Sequence, residues 1–408
     1  MDSPLPRIRP IEAFPVEVDA RRLVCLRDPL QYATDSILVS PEAFFIVTLL
    51  DGRHAIVDIQ EAFARRFGTI LRADELHALI DALDHRHFLD SPRFGARRTE
   101  VDDAFRAAAV RPAAHAGASY PASGAACRAH LASFFTGVPS PIAARGRLRG
   151  LIAPHIDLRV GGRAYGHAYQ VVADAADARR FVILGTSHCG GESLFAATRK
   201  DFATPLGPVT TDRGFLDRLA ARTPEDLYGD ELLHRTEHAI EFQVVMLQHV
   251  LGGRRPFSVV PILVTSFHEM VRRGRAPADD ARVAGFVAAL RATLAEDDVP
   301  TVLVAGVDFA HVGEKFGDPE GLAAEFLAAV EAKDRRLIAA LEAADPHAFF
   351  AEIAADGDRT RICGFSPMYT LLALLEGPPG RLLCYDRTRD EATRSSVSYA
   401  SLAYGLDG

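Results

Sequence analysis

Tryptophan is missing from the 408 residues, lysine occurs only at Lys200, Lys315 and Lys333, and cysteine occurs five times. The cysteines, Cys25, Cys127, Cys189, Cys363 and Cys384, are odd in number and scattered. In a chain of this length that argues against a disulfide-stapled scaffold and for a reducing compartment. With so little lysine, positive charge rests almost wholly on arginine, and no basic cluster alternates with aromatic residues. Nucleic acid is therefore not an expected partner. Long hydrophobic runs are also lacking: nothing approaches the roughly eighteen apolar residues of a membrane-crossing helix. The opening MDSPLPRIRPIEAF has no apolar segment of the kind a secretory signal needs. A membrane is thus not an expected partner, and the expected location is the cytoplasm. The net charge of -8 is mild and spread along the chain.

What is present suffices for real cores, since 48% of the residues are hydrophobic. Residues 1–95 read as a small domain. Short strands are expected at 22–27 and 35–38, then a helix capped by Ser40 with an apolar face of Phe44, Val47 and Leu50. A second helix follows at 56–67 and a third lies in RADELHALIDALDHRHFLD. Three small helices with flanking strands make a winged-helix-like α+β domain, and the order resembles the PqqD-like domains that bind leader peptides. Residues 96–112, rich in charge and alanine, read as a linker or linking helix.

From residue 113 to 405 strands and helices alternate. LRGLIAP, RFVILGT, FSVVPILV and TVLVAGV are short Val/Ile/Leu runs typical of strands buried on both faces. Helical stretches at 163–174, 213–222, 236–251, 278–296, 319–343 and 366–376 separate or follow them. The expected fold class is α/β, a largely parallel sheet flanked by helices. In such sheets the functional crevice lies beyond the carboxyl ends of the strands. There His155 follows GLIAP, His188 follows FVILGTS, and Asp308 and His311 follow TVLVAGV. A single strand-end histidine is most often structural; four such residues from three strands point to a site.

Cys363, in RTRICGFSPMYTLLALL, precedes an apolar helix whose amino end would lower its thiol pKa. Two imidazoles and a thiolate suit iron(II), copper or zinc and not magnesium or calcium. Three protein ligands would leave positions open for a reactant. A competing pattern is HRTEH, where His234, Glu237 and His238 fit the H-x-x-E-H of inverted zinc peptidases. The same stretch also reads as the polar lip of an amphipathic helix.

The stretches HAGASYPA, IAPHIDLRVGGRAYGHAYQ, ILGTSH, TPLGPVTTD, EHAIEFQ, VPILV, VDFAH, ICGFSP and SSVSYA occur in the order they take in the Memo family, also called AmmeMemoRadiSam system protein B. This part of the chain resembles that family, which is similar in fold to class III extradiol (LigB-type) dioxygenases. The resemblance implies a mononuclear iron, or copper, redox protein acting with dioxygen or a reduced oxygen species on an unknown small-molecule or peptide substrate; zinc is the less favoured metal. It implies metal ligands His155, His188 and Cys363. His311, oriented by Asp308, would be the acid/base pair, with His238 and Glu241 at the pocket rim. Where the family commonly has an aromatic, glycine-containing run after APH, this chain has IDLRVGG, so Asp157 and Arg159 are expected to turn the pocket toward polar or anionic ligands. The alternative is a non-catalytic metal-binding adaptor whose N-terminal domain recruits a peptide or protein.

Overall fold

Each of the four apolar runs forms a strand, and the four lie side by side and parallel. They are β5 (Arg145–Ala153), β6 (Arg180–Thr186), β10 (Ser258–Val264) and β11 (Thr301–Gly306), in the order β5-β11-β6-β10. The computed structural model describes residues 3–139, 145–175, 177–375 and 379–407. Two compact units make up the chain: Met1–Ala107 with Glu391–Thr393, and Ala108–Asp390 with Arg394–Gly408.

In the first unit β1 (Glu12–Val18), β2 (Arg21–Arg27) and β3 (Ile37–Val39) form an antiparallel sheet in that order. Helices α1 (Pro41–Leu49), α2 (Ile56–Phe67), α3 (Ala73–His85) and α4 (Pro92–Ala107) follow. Ser40 caps α1 by accepting the Ala43 N–H, as its position before the apolar run predicts. Gly68 ends α2 at φ 69°, a left-handed conformation that suits glycine. Leu26, Val47, Ile59, Phe63, Leu76 and Leu83 lie in this unit's own core. The segment 96–112 carries most of α4 and the two-residue strand β4 (Val110–Arg111).

The second unit continues with α5 (Gly124–Ser133), α6 (Leu158–Ala175), β7 (Phe195–Ala197), β8 (Asp201–Thr204), β9 (Gly207–Val209), α7 (Arg213–Ala220), α8 (His238–Leu251), α9 (His268–Arg272) and α10 (Ala281–Leu294). Its last part holds β12 (His311–Gly313), α11 (Ala324–Glu342), α12 (Pro346–Ala354), α13 (Phe365–Leu374), β13 (Gly380–Arg387) and β14 (Ser395–Asp407). Side chains alternate across the central strands. Val182 and Leu184 enter one apolar layer with Ile262 and Ala305, while Phe181 and Ile183 enter the other with Leu263 and Val304. Burial on both faces explains the uninterrupted apolar runs.

The sheet is mixed rather than parallel throughout. Strand β14 runs antiparallel beside β5, with β12 and β13 antiparallel to β14, and β7 is antiparallel to β10 at the other edge. A C-terminal strand returning beside β5 closes that flank without a further crossover helix. No helix among the described residues is long and apolar enough to cross a membrane.

Candidate metal centre

β11 lies between β5 and β6, so the loops leaving these three strands meet at one edge. His155 stands two residues past β5, His188 two past β6 and Asp308 two past β11. His238 opens α8, and Cys363 lies two residues before α13. Glycine permits the close approaches this needs. A Cβ at Gly306 would lie 2.6 Å from the Ala239 carbonyl oxygen of α8, and one at Gly364 would lie 2.6 Å from that of Asp308.

One ligand atom from each of His155, His188 and His238 lies within 4.8 Å of the other two. The Cys363 sulfur is 3.2 Å from His155 Nε2. Each imidazole is held through its other nitrogen. His155 Nδ1 donates to the Gly306 carbonyl at 3.0 Å. His188 Nδ1 lies 3.0 Å from both Glu237 oxygens, and His238 Nδ1 lies 3.1 Å from Glu237 Oε1. That leaves Nε2 of all three rings as the atom free for a metal, the usual arrangement in which a hydrogen-bond partner fixes tautomer and ring. Three imidazole nitrogens and a sulfur suit a transition metal and not calcium or magnesium.

The electrostatics of the rings differ, and a metal at His188 Nε2 would have to displace a proton there. Burial, helped by the neighbouring imidazoles, holds His155 well below its ordinary pKa, so it is a neutral donor. Burial alone would raise Glu237, but His188 and His238 keep its carboxyl well below the usual range. Burial opposes a charge on His188 too, yet Glu237 and Cys363 hold it well above the imidazole value. Burial pushes the Cys363 thiol up; a cation at this sulfur would displace the proton.

The sequence offers Glu237 as part of the H-x-x-E-H pattern or of a polar helix lip, and its part here is different from both. Besides the two rings it accepts the backbone N–H of His188, His238 and Ala239, capping α8. HRTEH is split between a 3-10 turn, Glu231–Arg235, and the start of α8. His234 turns away to the Ala196 carbonyl at 2.9 Å, and burial pushes its pKa down to about 3. The paired helical ligands of a peptidase are therefore not formed. Glu237→Gln should weaken metal affinity about 10–100-fold, while His234→Ala should leave it unchanged; competition titration with a chromogenic chelator checks both.

Asp308 and His311, expected to form an acid/base pair, make other hydrogen bonds. Asp308 Oδ1 accepts the His155 N–H at 3.1 Å and its Oδ2 lies 3.6 Å from His155 Nε2. Burial pushes Asp308 up to about 7. His311 instead donates from Nδ1 to the Phe309 carbonyl at 3.1 Å, and burial pushes it down to about 4. A neutral His311 with Nδ1–H committed presents Nε2 as a proton acceptor.

Glu241 is enclosed in protein. It accepts Arg111 Nη1 at 2.5 Å, the Ala114 and His115 N–H groups and the Tyr120 hydroxyl. Arg111, fully buried, also donates to the carbonyls of His234 and Glu237, bracing the turn that carries the site carboxylate. Nothing local in the sequence marks Arg111, because His234, Glu237 and Glu241, which it braces, lie over 120 positions away. Tyr120→Phe should cost about 1.5 kcal/mol, one hydrogen bond to a charged group; urea unfolding measures it. Asp157 and Arg159 pair with each other at 2.8 and 2.9 Å.

The Memo-like protein family model matches residues 111–403, and all the donors named above fall within that span. The chain belongs to the Memo-like family. It is similar to a MEMO1 family protein of Aquifex aeolicus, 28% identical over 93% of this chain and 95% of that protein. A MEMO1 family protein of Thermus thermophilus is also 28% identical, over 86% of this chain and 99% of its own length. Protein MEMO1 of Homo sapiens is 27% identical over 64% of this chain and 83% of its own. The Aquifex coverage extends beyond the Memo-like span into the N-terminal unit.

Proposed function

We propose that this Memo-like protein is a mononuclear metal-dependent redox protein, with iron as the preferred metal, copper next and zinc less favoured. The observation that carries the reading is the convergence of His155, His188, His238 and Cys363 with all three imidazoles pre-oriented by hydrogen bonds. His155, His188 and Cys363 are the ligands, and His238 is a fourth donor within reach. Iron bound there would supply one-electron chemistry with dioxygen or a reduced oxygen species.

The chain's own residues do the rest. Glu237 holds two rings in place and balances charge, and Asp308 fixes the His155 loop. His311 Nε2 takes and returns a proton of the substrate, an unidentified small molecule or peptide. Anaerobic purification, metal analysis and O2 electrode measurements test this reading. Roughly one iron per chain with oxygen uptake that His155→Ala abolishes is the expected result; stoichiometric zinc with no oxygen uptake would overturn it. The adaptor reading draws on the N-terminal unit having its own sheet and core. Full iron, no oxygen uptake and peptide capture that needs residues 1–95 would favour it.

A further inference from the structure

A cavity of about 170 Å³ runs from His188 and Cys363 to Ser266 and His268. The last two belong to a chain of polar groups that the metal reading does not use. Ser266 Oγ lies 2.8 Å from His268 Nδ1, and His268 Nε2 lies 2.6 Å from Asp358 Oδ2. The Asp358 side chain is fully buried, while Ser266 is exposed at the cavity and His268 is partly so.

The three members are fixed in place. Asp358 sits at φ 56°, a left-handed conformation that only a few non-glycine residues adopt, and its carboxylate also accepts the Ile362 N–H at 3.0 Å. Strain of this kind persists where the surroundings enforce it and often marks a working site. Ser266 Oγ accepts the His268 N–H at 3.1 Å, which leaves its own hydrogen for the imidazole. With Nε2–H donated to Asp358, His268 Nδ1 is the basic nitrogen and faces the serine hydroxyl.

We propose that Ser266, His268 and Asp358 form a second reactive site in this cavity, with Ser266 as a nucleophile toward small carboxylic esters or thioesters. The roles match those of a hydrolase triad, with the imidazole reversed so that Nδ1 and not Nε2 meets the serine. In the acyl-transfer step Ser266 Oγ bonds to the substrate carbonyl carbon as the bond to the leaving oxygen or sulfur breaks. The serine proton passes to His268 Nδ1 and then to the leaving group. Water returns the serine by the reverse sequence, and Asp358 balances the imidazolium in both steps.

A biotin-tagged alkyl fluorophosphonate applied to the full chain tests this directly. Its phosphorus bonds to Oγ, fluoride leaves and the proton goes to His268. One label per chain, mapped to Ser266 by mass spectrometry, is the expected result. Labelling should fall about 10²-fold or more in His268→Gln, the contribution of a positioned base, and vanish in Ser266→Ala. Both residues are accessible enough for these variants to fold, and melting temperatures verify that they do. Folded wild-type protein that labels no faster than Ser266→Ala, that labels at another residue, or that labels at the rate of His268→Gln would overturn the proposal.

Discussion

Cys363→Ser is expected to leave a folded protein that has lost most of its iron. A serine hydroxyl has the same shape but is smaller and remains protonated at neutral pH, where the proposed iron would take an anionic soft donor. The substitution also removes the sulfur that lies 3.2 Å from His155 Nε2, so one side of the donor set is left without a partner. Folding should survive, because Gly364, the tight approach to Asp308 and the apolar helix α13 do not depend on the thiol. His155→Ala should lose iron as well. Cys189→Ser is the control: it neighbours His188 in sequence but is absent from the cavity wall that His188 and Cys363 share, and its iron should match wild type. Metal analysis by plasma mass spectrometry, alongside circular dichroism, reads all three variants.

His311→Ala separates proton transfer from metal binding. The ring is kept neutral by burial, and its Nδ1–H is committed to the Phe309 carbonyl, which leaves Nε2 to accept a proton. A positioned base of this kind contributes about 10² to 10⁴-fold in rate. Oxygen uptake per iron should therefore fall by that order while iron content stays near that of wild type. Loss of iron together with activity would make His311 a ligand. A lower melting temperature with unchanged turnover per folded molecule would make it only the start of β12. Because Asp308 contacts His155, Asp308→Asn should perturb metal retention more than His311→Ala does.

The parts of the fold legible in the sequence were those whose burial is uniform. Strands β5, β6, β10 and β11 lie inside the sheet with apolar side chains on both faces, so their runs stand out in the sequence. Strand β14 does not stand out. Its stretch SSVSYASLAYGLD is full of serines, yet Ser396, Ser398 and Ser401 are buried and bonded within the protein. Strand β1 does not stand out either, because Pro15 interrupts it; an edge strand tolerates proline where a central one does not. Four residues at three strand ends could be read from the chain, since position relative to a parallel strand fixes which edge a residue reaches. Glu237 and Arg111 could not, as their roles depend on helix α8 meeting loops from distant segments. In the EHAIEF segment the carboxylate that contacts the His188 and His238 rings is Glu237, the residue just before the histidine, while Glu241 bonds Arg111.

X-ray absorption at the iron edge of anaerobically purified protein is the most direct measurement of the proposed centre. The account predicts about one iron per chain bonded to imidazole nitrogens and to one sulfur, with the sulfur contribution gone from whatever iron Cys363→Ser retains. Iron surrounded only by nitrogen and oxygen in the wild type, or a sulfur contribution that survives Cys363→Ser, would contradict it.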